Sequence, residues 1–588
     1  MTGGRSKAGG RYHLVADVRL DNRGDLAETL GINDAEARTL PDAGFVMRAW
    51  ERWREACFAH LYGDYAIALW DTAERKLFLA RDAVGGRPLH YHRGDGFFAF
   101  ATMPKGLHAL PEVPLAPDAI RTAELLVLMP EWGPRSFFEG VSRVEPGQIV
   151  IVDAKEQRAH RHWHPPTTGN DRWQLGDAAE AMRAELDRAV AARLRGGDGR
   201  IGAHLSAGLD SSAVAATAAR LLAPTNGQVV AFTSVPREGY AGEAPDARIG
   251  DEGPLAAKTA ALYSNIQHLL IRPDGGSTFD NWDRDFLLHD RPLVNPCNQR
   301  WINAINAEAQ RRGLKVMLTG AMGNATLSYA GTELLPELAA RFRWIALSRE
   351  IAALAASGSM RWRGGLALAF GPWIPRPLWR ALNRHYRGAS LDLHAYSAVR
   401  PEYVREAQLS QLAEARELDF SYRPRKSARA ARLWMLNRID QANAAKAALA
   451  GYGIDLRDPT ADRRLIEFCI SLPTSLFLRG GQARVLGRHA LADRLPPEVL
   501  EERRKGYQAV DWHEGLDAGR EALRTEISRL EHVPAASQIL DLAEMRATLE
   551  NWPSCEWNVP QVTNKYRLSL LRGGAIGHFL RKASRSNA

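Results

Sequence analysis

Arg200-Ile-Gly-Ala-His-Leu-Ser-Ala-Gly-Leu-Asp-Ser-Ser-Ala-Val-Ala-Ala-Thr-Ala-Ala-Arg-Leu-Leu222 reads as a short apolar strand, a Ser-x-Gly-x-Asp-Ser-Ser loop and an Ala-rich helix. Where a strand runs into a helix, the first N–H groups of the helix have no intrahelical partner and carry the positive end of its dipole. The loop is therefore an anion site. Ser206, Ser211 and Ser212 add hydroxyl donors and Gly208 allows close backbone approach, so the Ser206–Ser212 segment, Leu209 included, is the expected phosphate cradle. Asp210 does not fit a bare anion site. A carboxylate aimed at polyphosphate needs a cation between them, and Mg²⁺ binds through one or two carboxylates plus phosphate oxygens. The loop thus implies ATP with Mg²⁺. It lacks the Gly-Lys-Ser/Thr of a Walker loop, which weighs against a γ-phosphate hydrolase. On these residues alone, a Ser/Gly turn capping a helix is the structural alternative.

Working outward, Val229-Val-Ala-Phe-Thr233-Ser-Val is a second buried strand, placed to line the adenosine side of a doubly wound sheet. Asp251-Glu252 opens another Ala-rich helix, and Lys315-Val-Met-Leu-Thr is a third strand, followed by a loop starting at Gly320. The first half reads differently. His13–Leu20 alternates as a strand, Phe45–Phe58 reads as a helix, and short strands recur from Leu61 to Ala101 between turns.

The chain has 588 residues, long for one core and suited to two. It shows no apolar run of about 20 residues and no apolar stretch near its start, so a cytoplasmic protein without a membrane span is expected. Cys57, Cys297, Cys469 and Cys555 have no metal-ligand spacing and read as reduced, buried or inert thiols. The net charge of +9 is concentrated locally: from Arg341 to Arg405 eleven arginines face Glu350, Asp392 and Glu402, with Trp344, Trp362, Trp373 and Trp379 interleaved. Guanidinium and indole together suit an extended, partly acidic chain; a solvated helical surface with buried indoles is the alternative. No nucleic-acid-binding signature accompanies the stretch, so nucleic acid is not an expected partner.

The 206–212 loop resembles the Ser-Gly-Gly-Leu-Asp-Ser-Ser signature of the ATP pyrophosphatase domain in asparagine synthetases, with Ala207 in place of the middle glycine. Gly63-Asp-Tyr-Ala66 and Ala80-Arg-Asp-Ala-Val-Gly-Gly-Arg-Pro-Leu89 resemble the amidotransferase domain of the same enzymes. The resemblance implies an N-terminal Ntn-type αββα sandwich over 1–165 and a doubly wound α/β adenylating domain over 175–520. The latter would carry an Arg/Trp-rich helical insert over 332–435, with a helical extension over 521–588. The family's amino-terminal cysteine nucleophile has no counterpart, since Thr2 follows Met1, so a degenerate domain without glutaminase chemistry is expected. Asn324 and Ala325 stand where the family has an Asp and a Glu near the metal, which leaves Asp210 and Asn324 as the expected metal ligands. Asp455-Leu-Arg457-Asp-Pro-Thr-Ala-Asp462 resembles Glu-x-Arg-x-Pro-Phe-Leu-Asp, and Arg484-Val-Leu-Gly-Arg488 resembles Lys-x-x-Leu-Arg. Glu502-Arg-Arg504-Lys505-Gly506-Tyr507 resembles the family's Arg-x-Lys-x-Gly-Phe loop. By resemblance Lys505, Asp455 and Arg457 are the expected catalytic residues, and Thr233, Gly320 and Arg488 join the nucleotide site.

These departures look like the lasso peptide cyclases, macrolactam synthetases that adenylate an Asp or Glu side chain of a ribosomal precursor peptide and close the ring with its new amino terminus. That resemblance implies a precursor peptide, a leader peptidase and a leader-recognition protein as partners. An ammonia-dependent asparagine synthetase, a β-lactam-synthetase-like cyclase and a non-catalytic nucleotide- or peptide-binding homologue are the alternatives.

Overall fold

A computed structural model describes residues 10–584 apart from 168, 170, 171, 274, 388–392, 437 and 439; Thr2 and Asp392 lie outside the described residues. The first half folds around an antiparallel sheet ordered β1(Tyr12–Leu20), β2(Gly63–Asp71), β3(Lys76–Arg81), β7(Gln148–Val152), β8(Gln157–Arg161). Alternation along β1 buries Tyr12, Leu14 and Ala16 while His13 and Val15 face outward. One face of this sheet packs on helix Asp42–Trp53 through Phe45, Val46, Ala49 and Trp50. Its other face packs on a smaller sheet of β4(His90–Arg93), β5(Phe98–Ala101) and β6(Val141–Arg143), through Leu79, Val150 and Tyr91. The helix expected over 45–58 comes in three pieces, an α-helix ending at Trp53, a 3-10 turn over Arg54–Ala56 entered through a positive φ at Arg54 (54°), and a short α-helix Cys57–His60.

The second half is built on a five-stranded parallel sheet ordered β12(Ile266–Ile271), β10(Gln228–Ser234), β9(Arg200–His204), β13(Val316–Leu318), β14(Asp455–Arg457). A parallel sheet is covered on both sides, and the two-residue period shows which side chain goes where. Ile201, Ala203, Val229 and Ala231 pack against helices Leu175–Arg193 and Leu209–Leu222. Val230, Phe232 and Met317 pack against Ile305, Ala309 and Tyr452 of the helices on the opposite face. From β9 the chain builds toward β10 and β12 on one side and toward β13 and β14 on the other. The order therefore reverses between β9 and β13, and ligands bind outside the carboxyl ends of strands at such a switch point. Two loops leave that crevice, one at Leu205 and one at Thr319.

Between 334 and 436 the described elements are all helices, and helices also make up most of 512–583. The last helix, Leu571–Ala583, is buried on nearly all sides and carries Phe579 against Phe137 and Phe138 of the amino-terminal half. A seam of buried ion pairs joins the halves. Asp440 lies between Arg81 (2.8 Å) and Arg143 (2.7 Å), Arg87 reaches Asp455 (2.8 Å), and Lys446 reaches Asp17 (2.6 Å). The four cysteines are free thiols, Cys555 exposed and the others buried. Among the described residues no helix is long and apolar enough to cross a membrane.

Candidate active site

The loop after β9 is shaped by its own hydroxyls. Ser206 Oγ accepts from the Gly208 N–H (3.1 Å) and lies 2.7 Å from Ser211 Oγ, which in turn accepts the Ser206 N–H (3.1 Å). Glu252 Oε1 accepts the Ala207 N–H (3.1 Å), tying the loop to the next helix. Ala207 is not among the residues with positive φ, and Gly208 has φ −84°, so the turn does not need the glycine that Ala207 replaces.

Asp210 sits in the first turn of helix Leu209–Leu222. Its Oδ2 accepts the Ser328 hydroxyl (2.8 Å), whereas its Oδ1 is buried without a hydrogen-bond partner. Burial, opposed by Ser328 and Arg484 and reinforced by Asp458, raises this carboxyl to about 6. The loop after β13 closes directly onto it. A Cβ on Gly323 would stand 2.1–2.5 Å from the Asp210 side chain, and one on Gly320 2.8–3.0 Å from the backbone of Asp210 and Ser211. Only glycine permits that approach. Asp458, just past β14, accepts the Met322 N–H through Oδ2 (2.8 Å) and the Thr460 N–H through Oδ1 (2.9 Å), and burial raises its carboxyl too. Two carboxylates thus meet in the crevice with no cation bonded to either, one with an empty oxygen.

Cationic groups stand nearby. Residues 505–506 pair in parallel with Arg248–Ile249 (β11), which anchors the loop carrying Lys505. Lys505 is exposed, and its ammonium lies below its usual value, chiefly through partial desolvation and then through Arg484 and Arg248, with Asp210 opposing. Gly506 packs on the Glu252 carboxylate, where a Cβ would come within 2.3–2.5 Å. Glu252 therefore couples the Ser206 loop to the Lys505 strand.

A cavity of about 560 Å³ opens from this crevice. Of the expected residues Ser206, Gly208, Asp210, Ser211, Thr233, Gly320, Asn324 and Arg457 line it, together with Glu252 and Asp458, and it extends to Asp64 and Val84–Gly86 of the amino-terminal half. Several expected roles change. Ser212 is fully buried and gives its hydroxyl to the Ser206 carbonyl (2.9 Å), so it holds the turn rather than facing a phosphate. Leu209 buries its side chain in the helix–sheet core, leaving only its backbone at the loop. Thr233 spends its hydroxyl on Leu205 O (2.8 Å). Asp455 and Arg457 belong to the seam. Arg457 donates to Asp455 (2.8 Å) and to the carbonyls of Arg193 and Arg195 (2.6 Å each), while Arg87 holds the other Asp455 oxygen (2.8 Å). A buried guanidinium has to be fully partnered, and this one has no donor to spare for catalysis through Nε or Nη1. Arg488 is half-buried outside the cavity wall, beside Arg484 and Arg503. Arg484, which takes the left-handed conformation (φ 62°) at the start of helix Val485–Leu491, influences the charge of both Asp210 and Lys505, though Arg484 and Lys505, like Arg488, stand outside the cavity wall.

Sequence reasoning passed over Asp458, Arg484 and Ser328, and read Glu252 only as part of a helix start. The available signal for Asp458 was a carboxylate three residues from one already singled out. In the amino-terminal half, Cys57 is fully buried in the helix–sheet core and burial pushes its thiol far up, so it is no nucleophile.

A phosphate loop at a switch point, two buried carboxylates and a lysine whose ammonium senses Asp210 make this crevice a candidate nucleotide site. Residues 181–570 match the asparagine synthase family and residues 5–163 the glutamine amidotransferase domain family. An asparagine synthetase [glutamine-hydrolyzing] 3 of Bacillus subtilis is 22% identical over 555 residues, 92% of this chain and 82% of that protein. A putative asparagine synthetase [glutamine-hydrolyzing] of Mycobacterium tuberculosis is 31% identical over 248 residues, 40% of this chain and 37% of its own length. The amidase chyE of Penicillium rubens is 27% identical over 286 residues, 47% and 41% of the two chains. The chain belongs to the asparagine synthase family.

Proposed function

We propose that this member adenylates a side-chain carboxylate of a ribosomal precursor peptide and closes a macrolactam with the peptide's own amino terminus. The observation that carries the reading is the cavity. Beyond the nucleotide loop it is lined by Trp301, Ile305 and Leu288 and by the small side chains of helix Ala442–Tyr452, an apolar wall suited to packing a peptide side chain. The fully buried Cys57 also supports a nitrogen source other than glutamine.

In this reading a substrate carboxylate oxygen attacks the α-phosphorus of ATP, pyrophosphate leaves, and an acyl-adenylate forms. The amine then attacks the acyl carbon, AMP departs and the amine loses a proton. The helix N-terminus at Gly208–Ser211 holds phosphate oxygens. Asp210, through its empty Oδ1, and Asp458 are the carboxylates that would hold Mg²⁺, which supplies neutralising charge among the polyphosphate oxygens, with Asn324 an oxygen donor in the same wall. Lys505 and Arg484 stabilise charge as it develops on the α-phosphate and the tetrahedral carbon. Holding amine and acyl group in one folded peptide lowers the barrier by up to roughly 7–11 kcal/mol when aligned. A leader peptidase and a leader-recognition protein supply the trimmed peptide.

The reach of the cavity to Val84–Gly86 favours a second reading, an asparagine synthetase receiving ammonia from the amidotransferase side. The two separate in one assay. The full chain is given ATP and Mg²⁺ with a synthetic peptide bearing a free amino terminus and an internal Asp or Glu, with aspartate and ammonium, or with aspartate and glutamine. Pyrophosphate release that requires the peptide, with loss of one water from the peptide mass, is expected. Asparagine formed at a comparable or higher rate would sink the macrolactam reading.

A further inference from the structure

Nine of the fifteen exposed large apolar side chains among the described residues fall between Phe342 and Leu382. Soluble surfaces carry such residues singly, and a concentration of them marks an interaction site. The helices that carry them have satisfied inner sides and bare outer ones. In helix Trp362–Phe370, Gly365 and Ala369 are buried while Trp362, Leu366 and Phe370, four residues apart, form an outward stripe. In helix Arg376–Arg387, Trp379 and Asn383 turn inward and bond to the Ser421 carbonyl, while Leu378 and Leu382 face out. Rings extend the first stripe, Trp344 stacking on Phe370 at 6.2 Å and meeting Phe342 edge-on at 5.7 Å. Phe342 takes a left-handed backbone (φ 55°), a strained state for an aromatic residue, and its ring is 74% exposed.

The charge along these helices is predominantly positive. Residues 341–387 hold nine arginines and one carboxylate, Glu350, whose oxygens are taken by the N–H groups of Gly480 and Gly481 (2.9 and 3.0 Å). Arg376 and Arg380 pair with Glu414 (3.0 Å each), whereas Arg343, Arg349 and Arg361 make no ion pair among the described residues. Aromatic and aliphatic stripes rimmed by unpaired guanidinium groups match an anionic bilayer surface, where indoles settle at headgroup depth and arginines meet lipid phosphate. An extended acidic peptide fits less well, because the described part of the stretch is wholly helical and offers no strand edge for a peptide backbone to pair with.

We infer that this helical surface seats the enzyme on anionic membranes, lying on the bilayer through Phe342, Trp344 and Trp362 without crossing it. The seating stands apart from the choice of amide acceptor. The test is co-sedimentation of the full chain with vesicles of equal phosphatidylglycerol and phosphatidylcholine, beside phosphatidylcholine alone, together with tryptophan emission. Binding to the anionic vesicles that weakens as salt is raised, with a blue shift, is the expected result. The triple variant Phe342→Ser, Trp344→Ser, Trp362→Ser should bind about tenfold or more weakly, since it removes the buried apolar contact, while its circular dichroism and ATP binding stay those of the parent. A second variant, Arg343→Gln with Arg349→Gln and Arg361→Gln, should lose the preference for anionic lipid. Equal pelleting of parent and triple variant, no pelleting of the parent, or capture of a polyglutamate peptide by the patch without vesicle binding would overturn the inference.

Discussion

Asp455 and Asp458 are three residues apart and live in opposite electrostatic worlds. Asp455 lies in the seam between the halves, where Arg87 and Arg457 outweigh its burial and hold its carboxyl below the usual range. Asp458 faces the crevice, where no bonded cation offsets burial and the carboxyl is held above that range. The same contrast separates Asp440, strongly depressed between Arg81 and Arg143, from Asp210, raised to about 6. A buried charge whose partner is already in place is holding the structure together. A buried charge without one is kept for something that arrives later, and such groups mark functional sites.

The contrast breaks first at Asp210. Asp210→Asn leaves the volume unchanged and should cut AMP and pyrophosphate formation by about 10³-fold or more, the upper range for loss of one preorganised electrostatic partner, while Mn²⁺ binding by electron paramagnetic resonance disappears. Near-parental turnover would remove Asp210 from the metal site. On the other side, Asp440→Ala strands two buried guanidinium groups and should cost about 3–5 kcal/mol, read as a lowered midpoint of thermal unfolding with no change in ATP KM beforehand. Lys505→Ala should slow amide formation on the order of 10²–10³-fold yet leave calorimetric ATP binding intact, because a contact made as charge develops lowers the barrier without tightening the ground state. Loss of ATP binding instead would make Lys505 a ground-state ligand.

Acid sharpens the comparison with the smallest effect. For Asp210 the folded-state value is raised, so the proton competes with the cation. Mn²⁺ affinity should fall about tenfold per pH unit below about 6 and level off above it. For Asp440 and Asp455 the folded values are depressed, so their contribution to stability is complete above the ordinary value of 3.8 and is lost as the pH falls below it. Metal binding that faded only below 4, together with unfolding, would merge the two classes.

What the sequence reveals here follows from distance along the chain. The strand, loop and helix over 200–222 and three of the five parallel strands are legible because period, capping and turn chemistry act within a few residues, whereas Ile266–Ile271 and Asp455–Arg457 escape that reading. Gly320 and Asp210 are found in the same way, by their loops. Choosing Asp455 over Asp458 fails for the opposite reason: what draws Asp455 into the seam is Arg87, 368 positions earlier, and no local pattern carries that. Arg488 is chosen over Arg484 because a helical match favours the regular position, whereas the residue that influences Asp210 sits at the helix start in a left-handed conformation that arginine seldom takes. The break in the helix after Trp53 likewise follows from a positive φ at Arg54.

The seam also sets a schedule for synthesis. Arg81 closes onto a carboxylate 359 positions later, and at about 5–20 residues per second a ribosome needs roughly 20–70 seconds to deliver it. Phe138 waits longer still for Phe579. Through that interval the nascent amino-terminal half displays unmatched guanidinium groups and a bare aromatic face. Its maturation is therefore timed by the emergence of the far end of the same chain.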